Sequence, residues 1–129
     1  MSRRQEYRVA GQAEPISHFT DAVRGGDLLF VSGIVPVDEN RDLVGGDDVV
    51  AQARAVFANM RDVLAAAGCT FADVVKITVF LTDIADRPHV NPVRQEVFGE
   101  TRPASTLVEV PALVIPGARI EVEAIAVIQ

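Results

Sequence analysis

Two carboxylates sit where a strand has little use for them. Glu121 and Glu123 alternate with apolar residues in Ile120-Glu121-Val122-Glu123-Ala124-Ile125-Ala126-Val127. A glutamate in such a place can orient a water, and it can hand a proton to a departing nitrogen. The competing account is a solvated edge-strand residue. By spacing Arg119 shares the face of Glu121 and Glu123, so an Arg119–Glu121 surface pair would also account for the acid. Upstream, Arg102-Pro103-Ala104-Ser105-Thr106-Leu107-Val108-Glu109-Val110 carries two hydroxyls. Ser105 can donate one hydrogen bond to a carbonyl or amide, or can simply be a small residue in a tolerant place. Thr106 reads as a β-branched strand residue rather than a nucleophile. No base lies at an interpretable spacing from either hydroxyl, so a Ser-His-Asp arrangement is not supported. His18 suits acid–base work or the lining of a cleft, its unperturbed pKa being about 6.5; it equally suits an exposed loop. His89 opens a helix, and Asn91 sits near that helix start, where capping is the ordinary role. Two histidines in separate segments and the lone Cys69 give no metal-ligand spacing, so no metal is expected. Gly25-Gly26 and Gly45-Gly46 are turns, and neither belongs to a phosphate-cradling pattern.

The elements that must hold these residues follow from periodicity. Phe19 to Val23 is a short extended stretch, and Gly25-Gly26-Asp27 a turn. Leu28 to Ser32 is an apolar run of strand length ending at Gly33. Ile34 to Gly46 is turn chemistry. Asp47 or Asp48 caps a helix whose apolar stripe is Val50, Ala53, Phe57, Met60, Leu64 and Ala67, closed by Gly68. Cys69 after it reads as a buried or half-buried small residue. Val74 to Leu81 is a β-branched strand, and Asp83 to Pro88 a loop. His89 to Phe98 is a second helix with Pro92 in its first turn, ended by Gly99. Ala104 to Val110 and Ala118 to Ile128 are the last strands. The order β-β-α-β-α-β-β implies an α/β (α+β) subunit, a mixed sheet with both helices on one face. The strands stay apolar on both faces and no third helix exists, so copies of the chain are expected to cover the bare face.

The chain has 129 residues, which suits a single domain, 1–129, with residues 1–15 as a less ordered N-terminal segment. Met1 to Arg8 is polar and lacks the apolar core of a secretory leader, and no apolar run reaches the roughly 20 residues of a membrane span. With one cysteine and no internal disulfide, the cytoplasm is the expected compartment. The net charge is −6, with a single lysine, Lys76, no tryptophan and one tyrosine, Tyr7. That balance lacks the basic footprint and stacking platforms of a nucleic-acid binder.

From Ile16 to Val127 the chain resembles the RidA/YjgF family of small imine deaminases. The resemblance rests on Asp27-Leu28-Leu29-Phe30-Val31-Ser32-Gly33 with Pro36-Val37, Ala51-Gln52-Ala53-Arg54, and Val74-Val75-Lys76-Ile77-Thr78-Val79-Phe80-Leu81 with Asp83. It continues through Val90-Asn91, Arg102-Pro103-Ala104, Val108-Glu109-Val110 and Ile120-Glu121-Val122-Glu123-Ala124-Ile125-Ala126. It implies a chorismate-mutase-like fold, a homotrimer with clefts between subunits, and no cofactor. It implies a reaction in which reactive enamines and imines such as 2-aminoacrylate become a carbonyl compound and ammonia. Glu121 matches the glutamate that holds a water there, and Ser32 and Asn91 match retained positions. Phe19 stands where the family has a tyrosine, and Leu107 where it often has a cysteine. Ser105 stands where its deaminases carry the arginine that grips the substrate carboxylate.

A serine offers one neutral hydrogen bond and no bidentate ion pair. Arg102 is a poor stand-in, since residues 102 and 105 of an extended chain point to opposite sides. Arg24, Arg87 and Arg94 remain candidates to approach the cleft from a neighbouring subunit. The expectation is therefore a RidA-like hydrolase with Glu121 as its catalytic residue and Ser105, Phe19, Ser32, Asn91, Leu107, Thr106 and His18 around the substrate. That substrate is a small enamine or imine other than 2-aminoacrylate: neutral, larger, or differently anchored. The alternatives are a non-catalytic metabolite-binding or chaperone-like trimer and, further off, an endoribonuclease, an activity reported for some relatives. Neither nucleic acid nor membrane is an expected partner.

Overall fold

The turn at Gly25-Gly26, with Gly26 at φ +60°, folds the chain into the hairpin from which the sheet grows. The computed structural model describes residues 3–129. Its strands are β1 (Arg4–Tyr7), β2 (Ala22–Gly25), β3 (Leu28–Ile34), β4 (Val74–Leu81), β5 (Ala104–Glu109) and β6 (Ile120–Val127). Helix α1 (Val49–Ala66) follows β3, and α2 (Arg87–Phe98) joins β4 to β5. All six strands form one sheet in the order β1-β2-β3-β6-β4-β5. Only β4 and β5 are parallel, which is why a crossover helix stands between them.

Alternation assigns the faces. On β6, Ile120, Val122, Ala124 and Ala126 are buried, while Glu121, Glu123, Ile125 and Val127 take the other side. The inward set packs with Leu29, Val31, Ile77, Val79 and Leu81 against Ala53, Val56, Phe57, Met60, Val63 and Leu64 of α1. Asp48 caps α1, its carboxylate accepting from the backbone N–H groups of Val50 and Ala51. The buried face of α1 is broader than one stripe. It adds Val49, Gln52, Val56 and Val63, while Val50 and Ala67 at its ends are half-buried. Phe57, Phe71 and Phe98 meet edge-to-face with ring centroids 5.4–6.3 Å apart, which locks α2 beside α1.

The opposite face of the sheet is open. Leu28, Phe30, Val75 and Val108 are exposed there, Phe30 at 46%.

Three expectations need correction. Residues 1–15 are not a loose segment over their described part: Arg4–Tyr7 pairs antiparallel with β2. The Arg8 guanidinium, 2.8 Å from Asp21, then ties the following loop down. Met1 and Ser2 lie outside the described residues. The short strand after Phe19 is Ala22–Gly25, because the Tyr7 carbonyl engages Thr20 and Asp21 before pairing begins. Helix α2 starts at Arg87 rather than His89, since Pro88 suits the first turn and a 3₁₀ turn over Ile84–Asp86 leads into it. Pro92 therefore sits inside the helix, on its exposed side. Asn91 is likewise within the helix and caps nothing.

Candidate active site

The site begins with an irregularity in β3. Val31 pairs with Ala124 and Ile34 with Val122, so β3 carries one more residue than β6 over that stretch. The extra residue is a β-bulge. It lets Val31 and Ile34 both face the helices and leaves Ser32 and Gly33 beside Glu121. Gly33 is required there. A methyl group at 33 would stand 2.9 Å from Glu121 Cδ and 3.3 Å from Cγ, and closer still to Oε2.

Glu121 is thus folded over bare backbone. It is half-buried, and its carboxylate makes no hydrogen bond or ion pair among the described residues. Burial pushes its carboxyl above the ordinary value of 4.5, and the charge of Glu123 adds to the shift. A carboxyl in that condition holds a proton to higher pH and keeps free oxygens for water or substrate. The Arg119–Glu121 pair of the competing account is not formed. Arg119 turns instead to the Asp86 carboxylate at 2.8 Å and to the Asp47 backbone carbonyl at 2.7 Å.

Glu121 opens into a cleft of about 440 Å³ walled by Phe19, Ser32, Gly33, Asn59 and Arg41, with the loop over residues 12–17 as its rim. Phe19 presents an exposed ring to it. Ser32 donates its hydroxyl to the Thr20 carbonyl at 2.6 Å, so towards a ligand it acts as an acceptor. Asn59 donates to the Val37 carbonyl at 2.9 Å and Arg41 to the Glu14 carbonyl. Arg41 holds a left-handed backbone at φ +67°. His18 is exposed and stands outside the cleft wall.

The remaining sequence candidates lie elsewhere. Ser105 pairs with Ile77 and Leu107 with Val79, so both take the helix side of the sheet, opposite Glu121. Leu107 packs against the core. Thr106 pairs with Thr78 on the open side, where it accepts a 2.7 Å hydrogen bond from Lys76 Nζ. Asn91 is exposed on α2. Ser105 Oγ accepts a 2.7 Å hydrogen bond from Arg94 of α2. Of the candidates, Glu121, Ser32 and Phe19 meet in the cleft and Ser105 lies at the α2–β5 edge with Arg94, while Asn91 is exposed on α2 and His18, Thr106 and Leu107 join neither group.

Sequence reasoning missed Gly33 as a packing requirement, Asn59 and Arg41 as cleft walls, and Gln52 as the link between the loops at Gly46 and Gly117. Gln52 is fully buried, donating to the carbonyls of Gly46 and Gly117 and accepting from the Arg119 N–H. Among the described residues no three His, Cys, Asp or Glu side chains gather as a metal site, and no helix is long and apolar enough to cross a membrane.

Comparison with known proteins matches this arrangement to a family. The model of the Endoribonuclease L-PSP family covers residues 10–128. The 3-aminoacrylate deaminase RutC of Acinetobacter baylyi is 40% identical over 116 residues, 90% of this chain and 91% of that protein. This chain belongs to the RidA/YjgF family. The human 2-iminobutanoate/2-iminopropanoate deaminase is 36% identical over 112 residues, 87% of this chain and 81% of that protein. The Escherichia coli YjgF gene product superposes with a TM-score of 0.88 at 32% identity, covering 97% of this chain and 99% of that one. The mixed sheet with two helices is therefore the family's fold, and relatives in the family carry the names of enamine and imine deaminases.

Proposed function

We propose that the chain hydrolyses a small enamine or imine to a carbonyl compound and ammonia, at a cleft completed by a neighbouring copy in a homotrimer. The observation that carries this reading is Glu121: half-buried, with a raised pKa, without a hydrogen-bond or ion-pair partner among the described residues, and held over Gly33 at the wall of the cleft. Its carboxylate takes a proton from water as the water oxygen bonds to the imine carbon. The imine nitrogen takes up a proton from solvent as the carbinolamine forms; Glu121 then gives its proton to that nitrogen, the C–N bond breaks, the hydroxyl releases its proton to water as the carbonyl forms, and ammonia leaves. An enamine first takes a proton on carbon and releases one from nitrogen to become the imine. No cofactor is needed for these steps.

Assembly is part of the reading. The two groups of candidate residues occupy opposite faces of one subunit, so only two copies can bring them together. The exposed apolar face around Leu28 and Phe30 gives those copies a surface to share. Ser105 supplies no cation of its own, so the reading expects poor use of 2-aminoacrylate bound in the manner the resemblance implies. A soluble, cytoplasmic protein acting on small molecules completes it. The name of the family model points instead to RNA cleavage. A net charge of −6 weighs against that role.

The experiment is ammonia release from a panel of enzymatically generated imines and enamines, with wild type and Glu121→Ala. Turnover lost with Glu121→Ala supports the reading. Wild-type turnover that survives Glu121→Ala sinks it, and so does binding without release of ammonia.

A further inference from the structure

Arg94, like Arg24 and Lys76, is a partly covered cation with no ion pair to a carboxylate among the described residues, and it is the one that lies at the α2–β5 edge beside Ser105. Its side chain is half-buried, and desolvation lowers its pKa. A buried charge without a partner is costly. Arg8 and Arg119, whose side chains are also partly covered, answer that cost with Asp21 and Asp86, each at 2.8 Å. Arg94 has no carboxylate within reach among the described residues. It makes one hydrogen bond, 2.7 Å, to the neutral hydroxyl of Ser105. That bond uses one N–H and draws the guanidinium towards β5, and its other donors have no hydrogen-bond partner among the described residues. Helix α2 is in turn held to α1 by the Phe57–Phe98 contact and by the Arg54–Glu96 pair at 2.6 Å. The cation is therefore preorganised, partly dry, and short of an anion.

We propose that Arg94, oriented by Ser105, is the anchor for the carboxylate of the substrate. The proposal rests on the imine-hydrolysis reading for the identity of the site and narrows its substrate to imines or enamines of carboxylic acids. Of the neutral, larger and differently anchored substrates, the last is the one favoured here. A planar, singly charged carboxylate matches one guanidinium fork. The cation arrives from helix α2 rather than from strand β5, and Ser105 becomes its positioning residue. Asn91 lies one turn before Arg94 on the same side of α2, where it can add a hydrogen bond to the same group.

The test separates binding from turnover. Isothermal titration would follow 2-oxobutanoate, the keto acid that hydrolysis of the corresponding imine leaves, and 2-butanone, its neutral counterpart without the carboxylate. The proteins would be wild type, Arg94→Met, Arg94→Lys, Ser105→Ala and Arg41→Met, each checked for fold by circular dichroism. Arg94→Met is expected to weaken 2-oxobutanoate binding about ten- to a hundredfold, the worth of a charged hydrogen-bonded pair. Arg94→Lys and Ser105→Ala fall between, and 2-butanone is indifferent to all four. Equal affinity of wild type and Arg94→Met for 2-oxobutanoate overturns the proposal, as does absence of 2-oxobutanoate binding to wild type. Loss of binding in Arg41→Met but not in Arg94→Met overturns it too, by moving the cation to the wall of the Glu121 cleft. Ammonia release is then scored independently. Arg94-dependent binding with no turnover of any imine leaves the anchor standing and removes the hydrolytic reading. Turnover with kcat and KM untouched by Arg94→Met removes the anchor alone.

Discussion

The sharpest consequence of the site geometry concerns a residue with no side chain. In Gly33→Ala the new methyl would occupy space that the Glu121 carboxylate fills, 2.9 Å from Cδ and nearer still to Oε2. The backbone around it is committed: the bulge at Ser32-Gly33 sets the register of β3 on β6, and Ser32 N–H bonds to the Asp21 carbonyl at 3.0 Å. The side-chain end yields first. Ordinary van der Waals contact requires the carboxylate to retreat by about 1 Å, and a displacement of that size at a catalytic group costs about a hundredfold in rate. The cost to the fold is smaller, about 0.5–1.5 kcal/mol for an off-rotamer glutamate. The assay is ammonia release on the best substrate of the panel, run beside urea unfolding. The expected result is turnover down about a hundredfold with the unfolding midpoint little changed. The double variant Gly33→Ala/Glu121→Ala sharpens the test. With the carboxylate gone there is nothing left to displace, so in the Glu121→Ala background, where turnover is already lost, Gly33→Ala is expected to cost no stability in urea unfolding. Full activity in Gly33→Ala, or equal losses of stability from Gly33→Ala with and without Glu121, would refute the claim that Gly33 acts by seating Glu121.

Three further outcomes follow from the same structure. Gln52→Leu removes three hydrogen bonds of a fully buried side chain, to the Gly46 and Gly117 carbonyls and from the Arg119 N–H; a loss of about 1–3 kcal/mol is expected in urea unfolding. Glu121 has a folded pKa above its ordinary 4.5, so the native state binds the extra proton. Its contribution to stability is complete below about pH 4.5 and is lost as pH rises through the folded value. Replacement by Gln is expected to flatten that decline in melting temperature across an acid-to-neutral series. Phe30→Asp places a charge on the open apolar face, and light scattering is expected to report smaller particles than wild type, while circular dichroism is unchanged.

Much of the fold was legible because alternation and 3.6-residue periodicity are local properties. Val74–Leu81 and the capped helix after Asp48 follow from their own residues. What escaped was set by distant partners. β1 reads as polar terminal chain because Arg4-Gln5-Glu6-Tyr7 has no apolar face, and it is a strand only because β2 offers an unpaired edge. Glu121 was visible as an odd acid, but its setting was not. The bulge that brings Gly33 under it depends on register between strands nearly ninety residues apart in sequence, and no spacing rule along one strand reports that.

The same difference between local and packed information governs the 105 position. Strand parity is a sound argument against Arg102, and it is silent about what lies alongside. Residue 94 belongs to the crossover helix that parallel pairing of β4 and β5 demands, and that helix lies against the side of β5 to which Ser105 points. A serine there is short enough to receive a guanidinium from the helix, whereas a long cationic side chain would compete for the same volume and repel the charge. The absence of a cation in the strand and the presence of one on the helix are then a single arrangement. Ser105→Arg puts this to the test. It sets two guanidinium groups at one edge with no acid between them, so mutual repulsion is expected to lower the melting temperature, with recovery when Arg94→Met is added. A Ser105→Arg protein as stable as wild type, and no more stable with Arg94→Met, would show that the two positions do not share that space.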